Sequence, residues 1–98
     1  MPVHVRPPVR ITVVQAQACH LCDDAKAVLA ELAKDHPIVV DTVQAESDAG
    51  RELVARHRPP LAPLVLVDGV YFSAGRLPRR KLERTLTARP HALKRAQA

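Results

Sequence analysis

The order in which two hydrophobic periods alternate constrains this chain more than any other feature. Arg10-Ile11-Thr12-Val13-Val14-Gln15 is a β-branched run that reads as a strand. Its near-continuous apolar character points to cover on both faces. Directly afterwards the period changes. Leu21, Ala25, Val28, Leu29 and Leu32 recur at i, i+4, i+7, i+8 and i+11, one stripe of an amphipathic helix. Asp35-His36-Pro37 stops that helix, because a proline disfavours helical geometry at the residue before it. Ile38–Val43 is a second buried-looking strand. Ser47 or Asp48 caps a short helix to about His57, with Leu53, Val54 and His57 inward and Gly50 as a weak point.

The second half punctuates itself. Arg58-Pro59-Pro60 ends the short helix, and Leu61–Val67 reads as a strand that starts through Pro63. Asp68-Gly69 is a two-residue hairpin signal with Val70-Tyr71-Phe72 returning from it. Ser73–Arg76 reads as a turn. A last helix begins at Leu77-Pro78 with Leu82 and Leu86 on one face, and Arg89-Pro90 ends it. The order is β-α-β-α-β-β-α. Strands separated by helices are expected to pair in parallel, with the hairpin adding an antiparallel strand. Residues 1–9, broken by prolines, are expected to be a flexible N-terminal segment, 10–88 the folded domain, and 89–98 a basic flexible tail.

Length and composition agree with one small domain. The chain has 98 residues, 47% of them apolar, yet only 2% are aromatic, so the core must be built from Val, Leu, Ile and Ala. The longest nearly uninterrupted apolar stretch, Leu61–Val67, is far short of the ~20 residues that span a bilayer. No apolar signal-peptide core follows Met1. The expectation is a soluble, cytoplasmic protein without a membrane partner.

Two cysteines do not make a disulfide scaffold. They stand three apart, in Cys19-His20-Leu21-Cys22, where a strand hands over to a helix. In a reducing compartment a lone CxxC is redox-active or metal-binding more often than structural. The first-turn amides of a helix lack intrahelical partners and the helix dipole is positive there, so a thiolate is stabilised. The thiolate is the form that attacks a disulfide. Cys19 would attack, and Cys22, nearly one turn on, would resolve the mixed disulfide. His20, when protonated, would favour the thiolate; Asp23 favours the helix N-terminus but opposes the thiolate. Two blander readings stand beside this one: a pair of inert buried thiols, or half of a zinc site. For the zinc site no second close pair of ligands exists, so no metal is expected. Pro63 likewise has two readings. Either it belongs to a proline-rich loop leading into an edge strand, or it is a cis proline that aims the Ala62 backbone at the cysteines, ready to pair with an extended substrate.

Together, the strand, Cys19-His20-Leu21-Cys22-Asp23-Asp24-Ala25 at a helix start, and Ala62-Pro63-Leu64-Val65-Leu66-Val67-Asp68-Gly69 downstream resemble a glutaredoxin-like protein of the thioredoxin-fold superfamily. The resemblance covers about Arg10 to Ala88, and it is closest to small bacterial members whose active site departs from Cys-Pro-Tyr-Cys. It implies an α/β thioredoxin fold with a four-stranded mixed sheet flanked by helices and a cis peptide at Ala62-Pro63. It further implies a thiol–disulfide oxidoreductase with Cys19 as nucleophile and Cys22 as resolving thiol. Ala62, Pro63 and Leu64 would capture substrate backbone, and Arg76 would contact a carboxylate. The redox group is the Cys19–Cys22 disulfide itself, and no other cofactor is required. Protein or low-molecular-weight disulfides are the implied substrates, with glutathione or a thioredoxin-reductase-type system as electron donor. The family's lysine three residues before the first cysteine is Ala16 here, its Thr-Val-Pro is Leu61-Ala62-Pro63, and its aspartates before the last helix are missing from Ala74–Pro78. These departures leave the choice between the two donors open. A monomer is expected.

Net charge is +5, which raises nucleic acid as a partner. Residues 76–98 hold eight Lys/Arg and one Glu, +7, while residues 1–75 hold seven Lys/Arg and nine Asp/Glu, −2. A basic terminal helix and tail suits phosphates or acidic partners. Only Tyr71 and Phe72 could stack on bases, and both lie in a strand that should pack, so nucleic acid is disfavoured.

Overall fold

The computed structural model describes residues 7–97, with side chains through 88. Seven elements follow one another: β1 (Val9–Gln15), α1 (His20–Leu32), β2 (Ile38–Gln44), α2 (Asp48–His57), β3 (Leu64–Val67), β4 (Val70–Ala74) and α3 (Arg79–Gln97). The β-α-β-α-β-β-α order expected from the sequence is the observed one. The loose segment expected at residues 1–9 lies mostly outside the described residues; Val9 already belongs to β1.

The four strands form one mixed sheet in the order β2-β1-β3-β4. β1 and β2 run parallel, in register from Val9↔Ile38 to Gln15↔Gln44. β3 corrects the expectation that every helix-separated strand pairs in parallel: it is antiparallel to β1, with Val14 opposite Leu64 and Ile11 opposite Val67. The cause lies in where α2 delivers the chain. The chain leaves β2 at Gln44 and re-enters at Leu64, both beside the C-terminal end of β1. A chain returning to the end it left must run back the other way.

The sheet is covered on both faces. α1 and α3 share one cluster with Val9, Ile11, Val13, Val65 and Val67, to which they add Ala25, Leu29, Leu32, Leu82 and Leu86. On the other face Val14, Leu64 and Leu66 pack against Leu53 and Val54 of α2. The central strands are thus buried on both sides, as their apolar runs implied. β2 departs from its pattern. Val39 and Val40 are 39% and 38% exposed, because β2 is an edge strand.

Local chemistry explains the joints. Asp68 and Gly69 both adopt positive φ, +50° and +83°, between the paired residues Val67 and Val70, as a type I′ turn requires. Ser47 caps α2, accepting from the Gly50 amide at 3.0 Å and donating to the Gln44 carbonyl at 2.7 Å. Gly50, which looked like a weakness, is required: a Cβ there would stand 2.0 Å from the Gln44 carbonyl oxygen.

Boundaries move in β3, β4 and α3. β3 begins at Leu64 rather than Leu61, since Pro63 has no amide for the ladder. β4 continues through Ser73 and Ala74, which pair with Val65 and Leu64 instead of turning. α3 runs on through Pro90 to Gln97, past the stop placed at Arg89-Pro90 and through most of the expected tail. A proline removes one hydrogen bond from a helix interior, and the good helix formers on either side of it (Ala88, Ala92, Leu93, Lys94, Arg95) carry the helix across.

Candidate active site

The end of the sheet where β1 finishes collects the candidate residues. Gln15 closes β1, and three residues, Ala16-Gln17-Ala18, lead to Cys19 at the start of α1. Leu64, which opens β3, lies opposite Val14, so Pro63 and Ala62 reach the same end. Cys19 and Ala62-Pro63-Leu64, separated by the whole of α1, β2 and α2, are thereby brought to one edge of the molecule.

Cys19 is the N-cap of α1, with extended backbone (φ −113°, ψ 103°). Its Sγ accepts from the Cys22 amide at 3.1 Å, and its carbonyl accepts from the Asp23 amide at 3.2 Å. A sulfur has taken the place that a serine or aspartate oxygen usually fills at a helix start. Cys19 and Cys22 are joined in a disulfide with Cα atoms 5.2 Å apart. The two differ in access. Cys22 is 2% exposed and belongs to the buried face of α1, while Cys19 is half-buried. One sulfur can meet a partner and the other cannot.

The loop before Cys19 is held from the side. Ala45 donates its amide to the Gln15 carbonyl at 2.8 Å, and the Gln17 side-chain amide donates to the Glu46 carboxylate at 3.2 Å. Ala18 sits at φ +50°, the left-handed region that favours glycine. No local sequence signal marks Gln17 or Glu46, which are 29 residues apart and meet only because β1 and β2 pair in parallel.

Ala62-Pro63 is a cis peptide, the bond geometry that the second of the two readings of Pro63 requires. Pro63 is buried and Ala62 half-buried. The Pro63 carbonyl accepts from the Gly75 amide at 3.0 Å, which ties the loop to the end of β4. Gly75 has φ +83°, and a Cβ on it would press Leu61 Cδ1 at 3.1 Å.

The remaining candidates sit around this centre. His20 and Asp23 are exposed in the first turn of α1, and their side chains make no hydrogen bond or ion pair. Arg76 is exposed beside Gly75, but it lines a separate hollow of about 270 Å³ against Asp24, Ala25, Ala27 and Val28 on the flank of α1. Among the described residues no group of three or more His, Cys, Asp or Glu is placed to hold a metal ion. Among them also, no helix is long and apolar enough to cross a membrane.

The chain matches no family model and no curated protein. Its backbone is similar to solved structures. One is the X-ray structure of thioredoxin from Fasciola hepatica, with TM-score 0.59, 24% identity, and coverage of 82% of this chain and 79% of that one. Another is the solution structure of a thioredoxin from Thermus thermophilus, with TM-score 0.53, 23% identity, and coverage of 82% and 72%. The chain has the thioredoxin fold. The α/β architecture expected from the sequence, a four-stranded mixed sheet between helices, is therefore the observed one. Within the thioredoxin fold of this chain, the CxxC occupies the junction of β1 and α1, and the cis proline faces the same end of the sheet from β3.

Proposed function

We propose that this chain is a thiol–disulfide oxidoreductase of the dithiol type, glutaredoxin-like in its motifs. The observation that carries the reading is the asymmetry of the cysteine pair: Cys19 is accessible and caps the helix through its sulfur, while Cys22 is buried behind it. In the reduced protein the Cys22 amide and the positive end of α1 favour a thiolate on Cys19. That thiolate attacks one sulfur of a substrate disulfide. A Cys19–substrate S–S bond forms, the substrate S–S bond breaks, and its other sulfur leaves as a thiolate. Cys22, one turn along the helix, then attacks Cys19 Sγ. The second substrate thiolate departs, and the Cys19–Cys22 disulfide is left. The substrate gains two electrons and the protein dithiol loses two. A thiol donor, glutathione or a thioredoxin-reductase-type system, returns them.

Ala62 and Leu64 contribute backbone rather than side chains. An extended substrate segment laid beside Ala62 pairs with main-chain groups at the head of β3, so recognition is sequence-tolerant. Arg76 supplies a cation for a substrate carboxylate from the flank of α1. His20 adds positive charge beside the sulfurs when protonated, and Asp23 opposes it. The reaction needs no cofactor other than the disulfide. Cycling between dithiol and disulfide suits a reducing, cytoplasmic setting, and the chain is read as acting as a monomer.

The test is turnover of a model disulfide by wild type, Cys19→Ser and Cys22→Ser. Cys19→Ser should have no activity. Cys22→Ser should accumulate a covalent mixed disulfide visible by mass under non-reducing conditions. Wild-type activity in both variants would overturn the proposal. Running the wild type with glutathione and with a thioredoxin-reductase system identifies the donor.

A further inference from the structure

The charge of this protein is unevenly neutralised. Away from α3, the cations Arg10, Lys34, Arg51 and Arg56 each have a carboxylate partner: Asp41, Glu31, Asp48 and Glu52. Among the described side chains of α3 only Arg79 does, reaching Glu83 at 3.7 Å. Arg80 and Arg84 are exposed and have no carboxylate, and Lys81 lies 4.9 Å from the Phe72 ring centroid instead. Lys26, Arg58 and Arg76 are the other described Lys and Arg side chains without an ion-pair partner, and they lie apart in the sequence. Arg80 and Arg84, four residues apart, share one face of the helix and border a shallow hollow of about 590 Å³ with Glu83, Thr87 and Ala88. The first turn of α3 carries Arg79, Arg80 and Lys81 and no acid, against the preference set by the helix dipole. The helix gives up local stability to hold these charges where they are.

Position gives the patch a direction. Pro63 is bonded to Gly75, and α3 starts four residues later, so the basic face begins at the end of the sheet that carries Cys19. We infer that the Arg80/Arg84 face of α3 is a docking surface for an acidic polypeptide, one that brings a disulfide to Cys19. Guanidinium groups at i and i+4 match carboxylates that recur along a chain, each able to accept two parallel N–H bonds. Nucleic acid fits less well. The chain has one Tyr and one Phe, the Tyr71 ring is 6.1 Å from that of His57, and Phe72 packs on the core beneath Lys81. Among the described residues no ring beside the patch is left for base stacking.

Docking and chemistry separate experimentally; the inference rests on the thiol–disulfide reading only for what the partner carries. The first measurement is fluorescence anisotropy of three cysteine-free peptides, flanked by four Glu, four Gln or four Lys, with the oxidised full chain. The Glu peptide should bind at low salt, release steeply as salt rises, and lose at least ~10-fold in affinity to Arg80→Glu/Arg84→Glu. The milder Arg80→Gln/Arg84→Gln should lose less, and circular dichroism of both should match wild type. In the second measurement the same peptides carry an internal disulfide and are reduced by the pre-reduced protein. The Glu peptide should react fastest, and the charge reversal should slow it while leaving the Gln peptide within about 2-fold. Equal binding of all three peptides, or a preference unchanged in the reversal variant, overturns the inference. So does 20-base-pair duplex DNA that binds more tightly than the Glu peptide and is lost in the same variant. If the Glu peptide binds as expected but no peptide is reduced, docking stands and the oxidoreductase reading fails.

Discussion

Ala18 sits at φ +50° next to Cys19, held by Gln17–Glu46 on one side and by the Cys19 cap on the other. A left-handed conformation costs a non-glycine residue about 1 kcal/mol. Ala18→Gly should therefore leave stability unchanged or raise it by up to about 1 kcal/mol, partly offset by the added freedom of the unfolded chain. Urea denaturation measures this, and a loss beyond about 1 kcal/mol would show that the methyl group has a packing role. Glu46→Gln keeps the shape of the clasp and removes its charge, so the rate of disulfide reduction should stay within a few-fold of wild type. A large loss would place the carboxylate in the chemistry. Neither residue stands out in the sequence. The φ of Ala18 belongs to the short loop between the Gln15 and Cys19 anchors, which no single residue type marks, and Glu46 acquires its partner from strand pairing. The cysteines were legible because CxxC at a strand-to-helix change is a local pattern with a local cause.

Elements were legible wherever the period or the turn chemistry was their own. The α1 stripe, the Asp68-Gly69 turn and the Ser47 cap all appear as the sequence implies. Val39 and Val40 looked buried and are not, since burial at a sheet edge depends on what packs against it. The direction of β3 depends on where α2 returns the chain, which no residue of β3 encodes. Gly50 reversed its meaning for the same reason: it reads as a helix breaker, but the close approach of α2 to Gln44 requires it. Gly50→Ala should cost about 1–3 kcal/mol despite alanine's better helix propensity. A thermal melt showing stabilisation would mean that the helix shifts freely. Ser47→Ala, which removes the cap, should cost about 1 kcal/mol.

At the scale of the molecule, the two faces of the sheet are unequal. Among the described residues the α1/α3 face buries eleven in one cluster, while the α2 face fully buries three. Opening free energy follows buried apolar contact. Native-state hydrogen exchange should therefore show the α2 amides exchanging through a lower-energy opening than those of α1 and β1. Uniform protection in α1 and α2 would contradict this. The same asymmetry appears in the charge, with +7 on residues 76–98 and −2 on the rest, so the basic character belongs to the α3 side and not to the chain as a whole.

The central claim, that Cys19 is the reactive sulfur and Cys22 the sheltered one, is tested most directly by alkylating the reduced protein. Limiting iodoacetamide at neutral pH, followed by mass spectrometry of the peptides, reads the two rates separately. Cys19 should be modified at least ~10-fold faster than Cys22, with Cys22 protected by its burial on the inward face of α1. Equal labelling, or faster labelling of Cys22, would contradict the assignment of nucleophile and resolving thiol.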